Sequence, residues 1–376
     1  MQILALEAYY DGSHQAFLEG WIHHSRHDWT VITLPGYKWK WRMRHAAITF
    51  AKEVNARAEQ GQRWDCLFCS DMVNVAELRG LLAASISRLP ILLYFHENQL
   101  TYPVRCERER DYQFAMTNII SAVAAEAVWF NSGFHRDSFL TAAETFLKKM
   151  PDHQPLECIS DIRRKSQIHY PGVTLTGNAR PRSRGPTTLL WAARWEHDKN
   201  PSDFFAAVAI LVGEGIDFRV SVIGQQFRDV PEVFAEARKR LAPHIRHWGY
   251  QASKEAYYQR LAEADIIVST ALHEFFGITV VEAVGQGAYP LVPARLAYPE
   301  VLGLHNEPGA GRFFYDGTVK DLAAKLAQLI ASHQEGLLWK NVPQACDVVR
   351  SFDWKHRATA MDAAFPLGPK RDRPQD

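Results

Sequence analysis

The sequence lacks several features that would assign it to a common class of protein. No apolar run approaches the roughly 20 residues of a transmembrane helix, so no spanning segment is predicted. The charges nearly balance, with 43 Lys and Arg against 42 Asp and Glu, which excludes a nucleic-acid binder of the histone type but not a local basic patch. No signal-peptide pattern is present at the start, and we therefore expect a cytoplasmic protein.

Cysteine is scarce, with five residues in the chain. Cys66 and Cys69 have the spacing of a redox or zinc motif, but they lie in an apolar segment typical of a buried strand. We expect buried, unreactive thiols; the alternative is a redox or zinc site, which would need further ligands nearby. The scattered, odd-numbered cysteines agree with a reducing compartment.

The chain does contain a repeated alternation of short apolar and longer amphipathic segments, which is typical of parallel sheets covered by helices. With 376 residues, it is long enough for two domains. A polar stretch interrupts the alternation, so we predict an N-terminal Rossmann-like domain over 1–172, a linker over 173–187 and a second Rossmann-like domain over 188–345. We expect a helix over 346–365 to return to the first domain, and 366–376 to be disordered.

The fold class predicted from this alternation is α/β, with two parallel sheets facing each other across a cleft. Among its elements we predict strands over Ile91–Phe95 and Phe218–Ile223, and helices over Ala46–Glu59 and Val75–Ser87. Open parallel sheets bind ligands at the carboxyl ends of their strands. Polar residues at those ends are therefore the candidates for contacting a bulky donor and its acceptor.

The most specific motif is a pair of glutamates eight positions apart, Glu274 and Glu282, in a strand–loop–helix context. The intervening residues Phe275, Phe276, Gly277 and Ile278 place backbone N–H groups at a helix N-terminus, where they can bind a diphosphate or sugar oxygens. Carboxylates accept bidentately from vicinal hydroxyls, such as those of ribose or a hexose. The alternative is two ordinary acidic residues in a first helical turn.

Arg194 and Lys199 follow the first predicted strand of the second half. Two cations in one strand-to-helix loop can stabilise the negative charge that develops on a leaving nucleoside diphosphate. A pair of solvated side chains in a polar loop is the alternative. Arg-x4-Lys and Glu-x7-Glu together resemble the glycosyltransferase family 4 pattern of GT-B enzymes. That resemblance implies that Arg194 and Lys199 bind the donor diphosphate, Glu274 the sugar and Glu282 the ribose.

The first half offers polar residues at three predicted strand ends. Gly12, Ser13 and His14 form a glycine-containing loop that the GT-B family uses near the donor phosphates, although Ser13 could instead cap a helix. His96 follows another strand; the family resemblance assigns it to the transferred sugar or to its departure, and a satisfied core histidine is the alternative. Asn131 and Ser132, after a further strand, resemble the cleft-facing serine position of the family.

The chain contains no Asp-x-Asp sequence, which is the metal-binding motif of the other main transferase fold. We therefore expect no metal and no cofactor, with helix N-termini, Arg194 and Lys199 replacing the cation. The family resemblance implies retention of anomeric configuration, usually ascribed to front-face attack.

Further stretches of the first half resemble the tRNA-queuosine α-mannosyltransferase family. They begin with 7–14, 34–42 and 94–104, and continue with Phe130-Asn131-Ser132 and Pro151-Asp152-His153. The resemblance implies transfer of mannose from GDP-mannose to the cyclopentenediol of queuosine in the anticodon loop of tRNA(Asp). The residues by themselves do not distinguish GDP from UDP.

An RNA partner has independent support in a stretch where aromatics alternate with cations. Aromatic rings stack on unpaired bases and cations meet phosphates. A lipid surface would attract the same stretch, so a lipid-linked or polysaccharide acceptor is the second candidate. A non-catalytic tRNA- or nucleotide-binding module is the third. The acceptor residues we predict are Tyr37, Lys38, Trp39, Lys40, Trp41, Arg42, Arg44, Asn98, Gln99 and Arg105.

Overall fold

The computed structural model describes residues 1–104, 110–175, 185–226 and 230–366. The chain divides into two compact units. Unit 1 comprises Met1–Gly172 and the segment from Trp354 onward, and unit 2 comprises Val173–Asp353.

Unit 1 is a parallel sheet with helices on both faces. Its strands are β1 (Gln2–Tyr10), β2 (Asp28–Pro35), β3 (Cys66–Ser70), β4 (Ile91–Phe95), β5 (Ala127–Phe130) and β6 (Ser166–Ile168). Its first helices are α1 (Gly12–His24), α2 (Trp39–Glu59), α3 (Val75–Leu81), α4 (Ala84–Ser87), α5 (Tyr112–Ala124), α6 (Gly133–Leu147) and α7 (Glu157–Arg164). Within the described residues, the strand order is β2-β1-β3-β4-β5-β6.

The two faces of this sheet bury different side chains of the same strands. In β1, Leu4 and Leu6 join a core with the buried face of α2, whereas Ile3 and Ala5 join the core on the α1 side. Successive side chains of a strand point to opposite faces, so a continuous apolar run is required where helices cover both faces. This arrangement also separates Cys66 from Cys69, which belong to the two different cores.

Unit 2 repeats the architecture. Its strands are β7 (Thr187–Ala192), β8 (Phe218–Ile223), β9 (Ile245–Gly249), β10 (Ile266–Val268), β11 (Tyr289–Pro293) and β12 (Phe314–Tyr315). Its helices are α8 (Pro201–Gly213), α9 (Val233–Arg240), α10 (Lys254–Ala262), α11 (Ile278–Gly285), α12 (Tyr298–Val301), α13 (Val319–Gln334) and α14 (Ala345–Val349). In the described part of the unit, the parallel strands run in the order β12-β11-β10-β7-β8-β9.

The end of the chain differs from the prediction of one helix over 346–365. The structure has α14, a 3-10 turn at Arg350–Phe352, and a separate helix α15 (Trp354–Ala364) that belongs to unit 1. Helix α15 is fixed by Asp362, which accepts hydrogen bonds from Trp21 Nε1 at 2.8 Å and from the Arg26 backbone N–H at 2.8 Å. The helix is interrupted here because the residues before Trp354 pack with unit 2, whereas those from Trp354 onward pack with unit 1.

The predicted linker also differs. Strand β7 begins at Thr187, inside the range assigned to the linker, and Val173 forms a parallel bridge with Asp353 in unit 2. Residues 176–184 of the linker and 367–376 of the predicted tail lie outside the described residues.

Two helices depart from their predicted bounds for tertiary reasons. Helix α2 begins at Trp39 rather than Ala46, because its first turns place Met43 and the ring of Trp39 against the core. The helix predicted over Val75–Ser87 is divided into α3 and α4. At the division Asn55 of α2 donates to Leu81 O at 3.0 Å and accepts from Ala83 N–H at 2.8 Å, satisfying backbone groups that a continuous helix would have paired itself.

No helix in the described part of the chain has the length and apolar character needed to cross a bilayer. Cys66 and Cys69 are both buried in β3. Burial raises the pKa of the Cys66 thiol to about 12 and also raises that of Cys69, as expected for unreactive thiols.

Candidate active site

In unit 2 the predicted cation and carboxylate are in contact. Lys199 lies in a 3-10 turn after β7, and Glu274 in the loop after β10. Lys199 Nζ is 3.3 Å from Glu274 Oε2 and 3.3 Å from Asp198 Oδ2, and it donates to His273 O at 2.9 Å. The β7 and β10 loops are also joined by Thr270, whose hydroxyl donates to Lys199 O at 2.9 Å.

The electrostatics keep both members of this pair charged. Burial alone would raise the pKa of Glu274, but Lys199 holds it below its usual range. Burial alone would lower the pKa of Lys199, but Glu274 and Asp198 raise it. The ammonium of Lys199 already has these acceptors. It can therefore stabilise a bound diphosphate only by electrostatic attraction at a distance, or by exchanging one of these partners for a phosphate oxygen. Arg194 is more accessible: its side chain is 41% exposed, with Nε 3.2 Å from Glu196 Oε2.

The residues between the two glutamates contribute through the backbone. Phe275 and Phe276 are buried, so their rings are not available to a ligand. Gly277 caps α11 at φ +88°, and a Cβ there would lie 2.7 Å from Tyr298 Cε1. Both the left-handed backbone and the packed ring therefore require glycine. Ile278 begins α11.

The hydrogen-bond partners of Glu282 could not be predicted from the sequence. Its Oε2 accepts from Tyr257 and its Oε1 from Tyr258, both at 2.8 Å. Both tyrosines lie on α10, and adjacent tyrosines in an amphipathic helix carry no signal of a site. Burial raises the pKa of Glu282, and the two hydroxyls oppose that rise. Each carboxylate oxygen retains a second lone pair that can accept from a ribose hydroxyl.

In unit 1 the glycine loop precedes α1. Asp11, rather than Ser13, is the N-cap residue, and its carboxylate accepts from Gly12 N–H at 2.8 Å. Gly12 has φ +51°, a conformation that side-chain-bearing residues rarely adopt. Ser13 is exposed, whereas His14 is buried and turned toward Glu7 of β1, with Nδ1 3.3 Å from Oε1.

His96 lies directly after β4 and is enclosed by aromatic rings. Its ring stacks on that of His14 at 4.0 Å and meets Phe17 edge-on at 4.9 Å. Burial lowers its pKa well below the usual range, and the neighbouring His14 lowers it further. The sequence signal for this cluster is Glu7, a charged residue in a largely apolar strand.

The predicted donor-binding side chains after β5 are occupied within the protein. Ser132 is fully buried and caps α6, accepting from His135 N–H at 3.0 Å. Asn131 donates to His96 O at 2.9 Å and its Oδ1 meets His135 Nδ1 at 2.8 Å. Asn131 therefore supports the His96 loop and Ser132 supports the start of α6, so both side chains are used within the protein.

Two of the predicted acceptor residues are also internal. Asn98 is fully buried, and its Oδ1 accepts from Leu100 and Thr101 N–H groups, at 3.1 and 2.9 Å. Gln99 is buried, and its side chain donates to Glu97 at 3.1 Å. Neither side chain is presented to a macromolecule. Arg105, a third acceptor prediction, lies outside the described residues.

The aromatic and basic stretch forms the start of α2, and its residues separate into two groups. Tyr37 and Trp41 are 59% and 61% exposed, and the cations beside them that are also exposed are Lys38, Lys40 and Arg44.

Trp39 and Arg42 form the second group, which faces inward. The Trp39 ring packs on Phe114 at 5.3 Å. Arg42 is buried, donates to Pro35 O at 3.0 Å and places its guanidinium 4.6 Å from the Tyr37 ring centre. The helical period, rather than the alternation in sequence, decides which residues reach solvent, so Trp39 and Arg42 are removed from the predicted contact surface.

Comparison with known proteins decides the family. The model described as tRNA-queuosine alpha-mannosyltransferase N-terminal matches residues 2–173, and that of glycosyl transferases group 1 matches residues 178–339. The chain is 34% identical over 316 residues to the tRNA-queuosine alpha-mannosyltransferase of Drosophila melanogaster, covering 81% of this chain and 82% of that protein. The chain belongs to the tRNA-queuosine alpha-mannosyltransferase family.

Two further comparisons agree at a coarser level. A GDP-mannose:cellobiosyl-diphosphopolyprenol alpha-mannosyltransferase of Xanthomonas oryzae pv. oryzae is 25% identical over 173 residues, covering 45% of this chain and 44% of that protein. The solved sucrose-phosphate synthase of Thermosynechococcus elongatus superposes with a TM-score of 0.72 at 14% identity, covering 97% of this chain and 98% of that chain. This member of the tRNA-queuosine alpha-mannosyltransferase family is therefore a glycosyltransferase with the GT-B fold, as predicted.

Proposed function

We propose that this protein transfers mannose from GDP-mannose to the cyclopentenediol of queuosine in the anticodon loop of tRNA(Asp), with retention, without a metal ion and in the cytoplasm. The observation that carries the proposal is the 34% identity to the Drosophila enzyme across 81% of the chain. That similarity extends through both units, so it supports the acceptor as well as the donor half of the reaction.

The donor assignment is supported by the chemistry of unit 2. A carboxylate fixed by two tyrosine hydroxyls at 2.8 Å suits vicinal ribose hydroxyls. Glu274, kept ionised by Lys199, suits the hydroxyls of a hexose. The Xanthomonas relative carries GDP-mannose in its name, which favours that donor over a UDP-sugar.

In the proposed reaction, the bond between mannose C1 and the β-phosphate oxygen breaks as a queuosine hydroxyl oxygen bonds to C1 on the same face. The proton of that hydroxyl passes to the departing phosphate oxygen, and GDP leaves. Arg194 and Lys199 stabilise the charge that develops on the diphosphate. Proximity of two bound substrates supplies a further part of the rate enhancement.

The acceptor surface that we propose consists of Tyr37, Lys38, Lys40, Trp41 and Arg44. Its two exposed rings can stack on unpaired bases, at about 1–3 kcal/mol per base, and its three cations can meet phosphates. Because the net charge of the chain is only +1, binding should rest on this small patch. With three cations, the logarithm of the affinity should fall with the logarithm of salt concentration at a moderate slope of about −2 to −3.

The deciding experiment incubates the purified protein with GDP-mannose and queuosine-containing tRNA(Asp), followed by nucleoside mass spectrometry. We expect one added hexose on queuosine, and none with UDP-glucose or with tRNA that lacks queuosine. Release of GDP without a modified nucleoside would reject the acceptor and direct the search to lipid-linked sugars. Binding of GDP-mannose without turnover, given authentic acceptor, would reject the enzyme itself.

A matched pair of tryptophans tests the acceptor surface. Trp41→Ala should weaken tRNA affinity by about tenfold, at the ~1–3 kcal/mol of a lost stack, without lowering the melting temperature. Trp39→Ala should lower the melting temperature, because its ring packs on Phe114. The surface is wrong if both variants bind tRNA like the wild type, or if Trp41→Ala destabilises the fold instead.

A further inference from the structure

A cluster of ionisable side chains, buried except for the half-buried His96, lies at the carboxyl ends of three adjacent strands of unit 1. Glu7 belongs to β1, Asp71 follows β3 and His96 follows β4, while His14 reaches the cluster from the first turn of α1. Glu7 is fully buried, and Asp71 and His14 are nearly so. Charges are rarely buried unless they are paired or used.

Glu7 is held so that one oxygen faces His14. Its Oε1 accepts from the Tyr9 backbone N–H at 2.8 Å and from the Ser70 hydroxyl at 2.8 Å, and it lies 3.3 Å from His14 Nδ1. Glu7 Oε2, Asp71 Oδ2 and His96 Nε2 are buried and have no hydrogen-bond partner among the described residues. Such a concentration of unsatisfied atoms marks a site under functional constraint rather than an ordinary core.

A metal ion is one way to satisfy this cluster, since ligand atoms of Glu7, His14 and His96 lie within 4.8 Å of one another. The ring geometry argues against it. The two imidazoles are stacked at 4.0 Å with planes only 29° apart. Metal-binding lone pairs lie in the ring plane, so two nearly parallel rings cannot both direct them to one ion at the ~2.0–2.1 Å of a zinc–nitrogen bond unless a ring turns.

The same geometry allows only one of the two rings to carry a charge. Two imidazolium ions stacked at this distance inside a protein would repel each other strongly. Glu7 contacts His14, so the proton belongs there and His96 stays neutral.

We propose that Glu7 and His14 are positioning residues for His96, forming an ion pair that fixes the orientation of the His96 ring and keeps it the neutral member of the stack. His96 is otherwise confined by Phe17, by Tyr94 at 4.7 Å, and by its backbone N–H, which donates to Asp71 at 2.9 Å. The inference rests on the proposed function only in placing His96 against the transferred sugar. A neutral imidazole there offers hydrogen bonds to hydroxyls and does not act as an acid toward the leaving group.

The titration behaviour agrees with this arrangement. Burial alone would lower the pKa of His14, but Glu7, Asp71 and Glu97 raise it to about 9. Burial lowers the pKa of His96, and the facing His14 and His135 lower it further. Burial raises the pKa of Asp71, which His14 opposes.

Histidine-selective NMR on the whole protein tests the inference without any substrate. With His14→Gln and His96→Gln used for assignment, we expect a doubly protonated His14 at pH 7 that titrates near pH 9. His96 should remain singly protonated throughout. The inference is overturned if both rings are neutral at pH 7, if His96 is the charged ring, or if one equivalent of Zn²⁺ shifts both rings together and raises the melting temperature.

Glu7→Gln then links protonation to turnover. We expect the titration of His14 to move to lower pH, and kcat to fall about tenfold or more with GDP affinity unchanged within about twofold. The wild-type kcat should decline as pH rises through about 9, and this limb should move to lower pH in the variant. His23→Gln, an exposed histidine of the same helix, and Glu59→Gln are the matched controls.

An unchanged His14 titration in folded Glu7→Gln, or an unchanged pH profile, would overturn the inference. If Glu7→Gln does not fold, the wild-type NMR titration still decides the matter. If no mannosyl-queuosine forms at all, the proposed function fails but the ring protonation states remain a separate result.

Discussion

Removing the two tyrosine hydroxyls from Glu282 should make donor binding depend on pH. Tyr257→Phe and Tyr258→Phe each delete a hydrogen bond of 2.8 Å to the carboxylate. A hydrogen bond to a charged group contributes about 1.5–3 kcal/mol, and one pKa unit corresponds to about 1.4 kcal/mol. Each substitution should therefore raise the pKa of Glu282 above its wild-type value, and the double variant should raise it further.

The consequence for binding follows from which form of Glu282 the ribose needs. The ionised carboxylate accepts from two hydroxyls, and affinity falls about tenfold for each unit by which the pKa exceeds the assay pH. We would measure GDP affinity by calorimetry from pH 5.5 to 8.5. The double variant should bind much more weakly than wild type at the acidic end and approach it at the alkaline end.

Stability provides a second readout with a defined sign. Burial raises the pKa of Glu282 in the folded protein, so its contribution to stability is present below the unfolded pKa and is lost as pH rises through the folded pKa. Since the substitutions raise the folded pKa further, the deficit in the free energy of unfolding relative to wild type should be constant at acidic pH and should grow once the pH exceeds the folded pKa of wild-type Glu282.

Tyr289→Phe is the matched control, because it removes a buried hydroxyl of the same unit that donates to Arg312 O at 3.2 Å. It should change stability by about 1 kcal/mol without a pH-dependent effect on GDP. Equal loss of affinity at all pH values, or none in the double variant, would refute the reasoning.

Three other perturbations have clear expectations. Lys199→Met leaves Glu274 without its cation and should lower the free energy of unfolding by about 3 kcal/mol. Because the pKa of Glu274 is lowered in the folded protein, this stabilisation is present at neutral pH and lost on acidification. Urea melts should therefore show a deficit that shrinks as pH falls. Asp362→Ala leaves buried hydrogen-bond donors without an acceptor and should lower the free energy of unfolding, followed by tryptophan fluorescence, by about 3 kcal/mol. Asp362→Asn keeps one acceptor oxygen and should lower it less. Equal losses in the two variants would contradict this. Gly277→Ala should cost about 1–2 kcal/mol from its left-handed backbone and more from the Tyr298 contact, and lose GDP binding; normal binding would show that the cap is not required.

The fold was readable from the sequence because its signals are local. Apolar segments such as Ile91–Phe95 and Phe218–Ile223 lie in the structure at their predicted bounds, since a strand covered by helices on both faces must be continuously apolar. The Glu274–Glu282 spacing and the Arg194–Lys199 spacing were also readable, because each pair belongs to one loop or to one loop and the helix that follows.

The solvent exposure of individual side chains could not be predicted from the sequence. Trp39 and Trp41 have similar sequence neighbours, yet one packs on Phe114 and the other faces solvent. The difference depends on where α2 begins, and that start is set by the core that the helix covers. The sequence pattern alone predicts that α2 starts seven residues later, at Ala46. Trp39 and Trp41 would then both lie in the loop before the helix.

The partners that give the site its chemistry come from distant parts of the chain. Glu7 meets Ser70 because β1 lies beside β3 in the sheet, and Glu282 meets Tyr257 because α10 packs on α11. The sequence by itself determined the repeated α/β architecture, the carboxylates and the cations. Only the tertiary structure decided which of them are charged, buried or held, because pKa and orientation depend on neighbours that strand order and helix packing bring together across tens to hundreds of residues.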